Sequence, residues 1–127
     1  MTASMYETKG SGEREEFATG SRRDTAEGKG RPALISPFAL RRLAGLYERG
    51  SSRYGDRNWE KGQPFSRVTD SLFRHLLAWM AGEVDEDHLA AIMWNAAALI
   101  HYQEAIRLGL LPAELDDMPH YRAEEEA

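Results

Sequence analysis

The spacing of apolar residues along the chain predicts helices, and the first begins at Ser36-Pro37. Serine is a favourable N-cap, and proline fits the first helical position. The apolar positions that follow at helical spacing are Leu40, Leu43, Ala44 and Tyr47. Gly50 is the expected end of this helix, because glycine is common just beyond the last helical residue.

Two further helices are predicted by the same periodicity. The second is capped by Ser66 and stops at Gly82, and its expected core face is Leu72, Phe73, Leu76, Leu77 and Met80. The third is capped by Asp85 and runs to about residue 108, with an apolar stripe of Leu89, Ile92, Met93, Ala96, Leu99, Ile100 and Ile106. No segment alternates between apolar and polar residues with period two, so no strand is predicted.

The third helix is apolar around much of its circumference, which favours burial on more than one side. Alanines that would let another helix approach closely are Ala90, Ala91, Ala96, Ala97 and Ala98. We therefore predict an all-α fold, a bundle of three principal helices completed by homodimerisation. Residues 32–110 would form this domain. Residues 1–31, rich in glycine and charge, would be a flexible or extended arm, and residues 111–127 a short helix followed by a disordered acidic tail.

Composition narrows the class of function. The chain of 127 residues has 42% hydrophobic residues and a formal net charge of −5, which suits a globular domain and argues against a nucleic-acid partner. There are no cysteines, which excludes disulfides and thiolate chemistry and is compatible with a reducing cytoplasm. The start of the chain lacks the apolar stretch of a signal peptide, and no run is long enough for a membrane span. A cytoplasmic location is expected.

Histidines and carboxylates gather where the second and third helices face each other. His75, Glu83, Asp87 and His88 would lie near the turn between them, where bundles commonly hold metal ions. Carboxylates suit Mg²⁺ or Mn²⁺, and added imidazole favours Mn²⁺ or Zn²⁺. The alternative is that the carboxylates are a solvated capping cluster and that His75 is a hydrogen-bonded core or interface histidine.

Several residues could hold a nucleotide. Trp59 could stack on a base, and Asn95, an amide inside an apolar helix, could read a base edge or bridge two helices. The cations that could contact phosphate are Lys29, Arg31, Arg57, Lys61 and Arg74. The alternatives are core packing for the tryptophan, a flexible basic linker around Lys29 and Arg31, and ordinary surface charge for the others.

A family resemblance rests on four segments of the chain. These are DTAEGKGR at residues 24–31, LISP at residues 34–37, YGDRNWEKG at residues 54–62, and the stretch from Arg74-His75-Leu76 through Gly82-Glu83 and Asp87-His88-Leu89 to Trp94-Asn95. They resemble the N-terminal domain of phage dATP/dGTP diphosphohydrolases. The resemblance implies an enzyme that cleaves a purine deoxynucleoside triphosphate to the monophosphate and pyrophosphate. Asn58 lies within the most specific of these segments and joins the residues expected to bind substrate.

The chain also resembles, more distantly, the MazG-like all-α pyrophosphohydrolases, which hold magnesium with a Glu-Glu-x-x-Glu helix and a Glu-x-x-Asp helix. This sequence departs from that pattern, with Asp70, Arg74 and His75 in the second helix and His88 and Ala91 in the third. Either the metal site is rebuilt from His75, Glu83, Asp87 and His88, with Glu83 or Asp87 as catalytic base, or catalysis has been lost. The alternatives to an enzyme are a nucleotide-binding or sequestering module and a helical interaction protein.

Overall fold

The computed structural model describes residues 6–10 and 12–122, and the chain forms two compact units that meet in sequence between Ile35 and Ser36. Residues 1–5 and 11 of the predicted arm, and Glu124–Glu126 of the predicted tail, lie outside the described residues. None of the described helices has the length and apolar character needed to cross a membrane.

The first unit contains a small antiparallel hairpin of β1 (Arg14–Glu16) and β2 (Arg22–Asp24), followed by a 3₁₀ turn at Pro32–Leu34. Its register pairs Arg14 with Asp24, Glu15 with Arg23 and Glu16 with Arg22. Opposite charges therefore face each other at every paired position, which stabilises cross-strand pairs. The prediction of no strand was wrong here, because all six strand residues are charged and show no apolar alternation.

Helix α1 (Pro37–Tyr54) opens the second unit. Ser36 caps it as predicted, and its Oγ accepts from the backbone N–H of Ala39 at 3.2 Å. The predicted end at Gly50 was wrong, because the helix continues for another turn to Gly55, whose φ of 92° is the left-handed value that stops it.

Helices α2 (Phe65–Met80) and α3 (His88–Arg107) form the antiparallel pair that carries the core. Ser71 contacts Asn95 and His75 contacts His88, so residue numbers rise along one helix as they fall along the other. Six of the seven buried positions of α3 recur every three or four residues along one face: His88, Ala91, Asn95, Ala98, Tyr102 and Ala105. Ala90 is buried beside them. All three principal helices predicted from periodicity are present.

The core centres on four buried side chains, Phe65, Val68, Ala98 and Tyr102. Tyr102 is fully buried, and its hydroxyl donates to the backbone carbonyl of Trp59 at 2.6 Å. Trp59 lies in a 3₁₀ turn, Asn58–Lys61, so this hydrogen bond ties that turn to the C-terminal half of α3. Burial raises the pKa of Tyr102 to about 12, and the phenol therefore remains a neutral donor.

The segment after α3 folds back over the start of α2. Leu111, Leu115 and Met118 pack against the core, and Asp117 accepts hydrogen bonds from Ser66, at 2.8 Å from its backbone N–H. Only a 3₁₀ turn, Ala113–Leu115, forms where a short helix from Pro112 was predicted. A Cβ atom at Gly62 would lie 2.7 Å from Cδ1 of Leu115, so glycine lets this segment close over the 58–61 turn.

The outer faces of α2 and α3 remain apolar and exposed. Phe73, Leu77 and Met80 were predicted to face the core, but in the single chain they are 57%, 63% and 68% exposed. The core instead takes Phe65 and Val68 from the first turn of α2, while Leu89 and Ile100 of α3 are also exposed. Apolar side chains at helical spacing therefore mark two faces of α2 rather than one.

Candidate functional site

A single open pocket of the second unit collects most of its chemically active side chains. It lies between the α1 face from Arg42 to Tyr54, the 58–61 turn, the end of α2, the α2–α3 connection and the first half of α3. Six of the twelve residues predicted to act at a site had been placed on α2, the connection and α3, and five of these line this pocket, four of them near the connection: His75, Glu83, Asp87 and His88. Asn95 also lines it, deeper along α3.

Two histidines meet inside the pocket. His75 is half-buried on α2, and His88, the first residue of α3, has a side chain only 5% exposed. Their Nδ1 atoms are 2.9 Å apart. Nε2 of His88 lies 2.9 Å from Oδ1 of Asp85 and donates to it, because an ionised carboxylate can only accept. The Nδ1 atom of a neutral His88 then accepts, and Nδ1 of His75 donates.

Carboxylates complete two overlapping groups of possible metal ligands. One joins His75, Glu86 and His88, and the other joins Glu83, Asp85 and His88, with the donor atoms of each group within 4.8 Å of one another. The hydrogen bond from His88 lowers the pKa of Asp85 below its ordinary value, so this carboxylate is ionised near neutral pH. Imidazole and carboxylate donors at this spacing fit Mn²⁺ or Zn²⁺ better than Mg²⁺.

Asp87 lies next to these groups but is held by other contacts. Its carboxylate caps α3 by accepting from the backbone N–H of Ala90 at 3.2 Å, and it forms a two-point ion pair with Arg42 of α1, with Nε at 2.8 Å. The hydrogen bond from Arg42 is the main reason why the pKa of Asp87 falls to about 2. The predicted cap of α3, Asp85, is thus corrected to Asp87, and Asp87 belongs to neither possible ligand group among the described residues.

Aromatic rings form the wall of the pocket next to the 58–61 turn. Trp59 contacts Tyr47 of α1 and Trp94 of α3 edge-on or nearly so, with ring centroids 5.8 and 6.4 Å apart. His101 packs against the same indole at 4.7 Å. Trp59 therefore packs against the core and also lines the pocket, and its stacking on a base stays a prediction.

Asn95 presents one unused acceptor at the inner end of the pocket. The residue is 3% exposed, and its Nδ2 donates to the carbonyl of Ala91 at 2.9 Å and to Oγ of Ser71 at 3.3 Å. The Ala91 carbonyl fixes the orientation of the amide, because only nitrogen can donate to it. Oδ1 has no hydrogen-bond partner within the described part of the chain. Every fully buried side-chain polar atom in that part does have a partner, so Oδ1 is not fully buried and retains access to the pocket.

The remaining predicted substrate-binding residues are distributed unevenly. Arg57 and Asn58 line the pocket, but Arg57 is paired with Glu60. Lys61 and Arg74 are exposed and are not among the residues that line it. Lys29 and Arg31 belong to the first unit, where Lys29 donates to Asp24 at 2.9 Å.

Sequence reasoning missed the contribution of α1. Arg42, Arg49 and Arg53 all line the pocket, and so do Tyr47 and the α3 residue Trp94. The three arginines are seven and four residues apart, so they share one face of the helix. That spacing was a usable signal, but the periodicity of the apolar positions had been used only to define the core side of α1.

Comparison with protein families gives one match. The model of a family described as dATP/dGTP diphosphohydrolase, N-terminal, matches residues 19–108, which is more than half of the chain. Comparison with curated proteins gives no match, and neither does comparison with solved structures.

Proposed function

We propose, since the chain belongs to the dATP/dGTP diphosphohydrolase N-terminal family, that it hydrolyses purine deoxynucleoside triphosphates to the monophosphate and pyrophosphate with a divalent metal ion. The observation that carries this proposal is the meeting of His75 and His88 Nδ1 atoms at 2.9 Å in a pocket that also holds carboxylates, arginines and aromatic rings. Such a pocket offers separate surfaces to a metal, a polyphosphate and a base.

The ligand group of His75, His88 and Glu86 is the better choice for the metal. Metal-binding histidines usually donate their second ring N–H to a carboxylate, which fixes the ring and its tautomer. His88 does this already, because its Nε2 donates to Asp85 and leaves Nδ1 directed at His75. When bound, the metal would neutralise phosphate charge and lower the pKa of a water molecule.

Carboxylates of the pocket would supply the proton acceptor and the positioning of His88. Glu83 lines the pocket beside the ligand group and is the candidate base that takes the proton of the attacking water. Asp85 is a positioning residue for His88. Asp87 is left out of the proposed ligand set because Arg42 and the α3 backbone engage its carboxylate.

The purine ring of the nucleotide would lie against the aromatic wall formed by Trp59, Tyr47 and Trp94. Asn95 Oδ1 can accept from a ring or amino N–H of a purine, since both hydrogens of its amide are already donated. A purine that donates an N–H to Oδ1 of Asn95 would leave no unpaired polar group, whereas a nucleobase without that donor would leave Oδ1 without a hydrogen bond.

The deciding experiment is turnover of dATP, dGTP, dCTP and dTTP with Mg²⁺ and with Mn²⁺, followed by the release of pyrophosphate. We expect the purine substrates to be cleaved and Mn²⁺ to support the higher rate. Nucleotide binding without release of pyrophosphate would instead support a sequestering module. Absence of binding by any of the four would support a helical interaction protein.

We also propose that a second copy of the chain covers the exposed apolar faces of α2 and α3. Four large apolar side chains are exposed to water on these faces: Phe73, Leu77 and Met80 of α2 and Ile100 of α3. Exposed apolar groups of this kind mark association surfaces. Sedimentation is expected to give at least twice the chain mass of 14.3 kDa. Leu77→Glu is expected to produce monomer, and a parent chain that sediments as monomer at micromolar concentration would refute the dimer.

A further inference from the structure

Among the described residues, one arginine of the pocket makes no hydrogen bond, ion pair or ring contact. Arg42 is paired with Asp87, Arg57 is paired with Glu60, and Arg53 lies over the ring of Tyr54 at 5.5 Å. Arg49 lines the same pocket but makes no hydrogen bond or ion pair with any residue among those described. Its charge is felt at Asp87, which Arg42 already engages at two points.

The backbone of α1 makes room for this side chain. Long side chains on a helix lean back over the preceding turn, and the residue one turn before Arg49 is Gly45. A Cβ atom at Gly45 would lie only 3.3 Å from Nη1 of Arg49, closer than side chains normally approach. Glycine inside a helix is destabilising by about 0.5–1 kcal/mol relative to alanine. At position 45 this cost accompanies a benefit, because the missing Cβ leaves space for the guanidinium of Arg49.

We propose that Arg49 is the anion-binding residue of this pocket and that it takes the polyphosphate chain of the nucleotide. This inference rests on the proposed function, because it places the polyphosphate in the nucleotide pocket. A guanidinium offers a planar pair of donors that matches two phosphate oxygens, and an arginine whose donors are not hydrogen-bonded to a carboxylate is available for this contact. The pocket's other side supplies the histidines and carboxylates that a metal-bound polyphosphate would also meet.

The test is the binding of tripolyphosphate to the whole chain in the presence of Mn²⁺, measured by calorimetry. Arg49→Ala is expected to weaken binding by about 10- to 100-fold, the range for loss of a hydrogen bond to a charged group. Arg49→Lys should recover only part of this loss, since an ammonium lacks the two-point fork. Arg41→Ala is the matched control: it removes an exposed α1 arginine that does not line the pocket, and it should bind as the parent does.

A second variant acts without touching the charge. Gly45→Ala should raise the melting temperature by improving the helix, and because the added methyl shifts Nη1 of Arg49 by only a few tenths of an ångström, it should weaken tripolyphosphate binding less than Arg49→Ala does. Equal binding by Arg49→Ala and the parent, or no binding by the parent at millimolar tripolyphosphate, would overturn the assignment. Arg49-dependent binding in a chain that cleaves no nucleotide would leave this inference standing and would defeat the hydrolase proposal alone.

Discussion

Replacing His75 by alanine is expected to abolish the stabilisation of the protein by Mn²⁺ and to lower dATP turnover by at least about 100-fold, since even an outer partner of a metal ligand contributes 10–100-fold. A metal that binds only the native state raises the free energy of unfolding, by about 2.7 kcal/mol at a concentration of 100 Kd. Removing one imidazole takes away a donor that faces His88 Nδ1 at 2.9 Å, and His75 is only half-buried, so the fold should survive.

The measurement is the melting temperature with and without Mn²⁺, together with turnover. His120→Ala is the matched control, because this histidine is exposed, is paired with Asp116 and does not line the pocket. Asp85→Asn should keep some metal effect with an affinity about 10–100-fold weaker. A parent chain whose melting temperature ignores Mn²⁺ and Zn²⁺, or an unchanged metal effect in His75→Ala, would remove the proposed ligand group.

Asp87→Asn separates the two roles considered for that carboxylate. If Asp87 only caps α3 and holds Arg42, the variant should still be stabilised by Mn²⁺ while its own melting temperature falls. Loss of the metal effect with an intact fold would instead restore Asp87 to the ligand set predicted from the sequence.

Tyr102→Phe is expected to destabilise the chain by about 1–3 kcal/mol, the cost of leaving a buried hydrogen-bond partner unsatisfied. The variant removes one hydroxyl from a fully buried ring and leaves the carbonyl of Trp59 without its 2.6 Å partner. Because this bond fixes the 58–61 turn to α3, we also expect the KM for dATP to rise. Urea unfolding followed by circular dichroism measures the first effect, and steady-state kinetics measures the second.

Tyr121→Phe is the matched control, since Tyr121 is 88% exposed and removal of its hydrated hydroxyl leaves no buried group without a hydrogen bond. It should unfold at the same urea concentration as the parent. If Tyr102→Phe were equally stable, the hydrogen bond would make no net contribution, and water would have to reach the Trp59 carbonyl. If stability fell but KM did not change, the turn would be held in place by packing of Trp59 alone.

The helices could be predicted because periodicity and caps are local properties. Ser36 had both an N-cap side chain and a following proline, and the structure uses both. The ends were less predictable, because Gly50 and Gly55 are equally plausible stops in sequence, and only Gly55 takes the positive φ. The charged hairpin escaped notice because its signal is complementary charge across two strands, which requires the register to be known.

The candidate site was predicted in outline for a similar reason. His75 and His88 could be placed at facing helix ends from spacing alone, and the structure brings their nitrogens together. The partner of Asp87 could not be predicted, because Arg42 is 45 positions away on another helix. Arg49 was missed because only the apolar spacing of α1 was interpreted, although Arg42, Arg49 and Arg53 recur on one face of that helix.

The distribution of indole rings has an optical consequence. The chain has three tryptophans, Trp59, Trp79 and Trp94, and all three line the same pocket. Tryptophan fluorescence therefore comes entirely from the pocket, and no tryptophan elsewhere adds a constant background. A stacked purine would quench this emission, so unlabelled chain can report nucleotide occupancy in real time, with the light collected from the pocket alone.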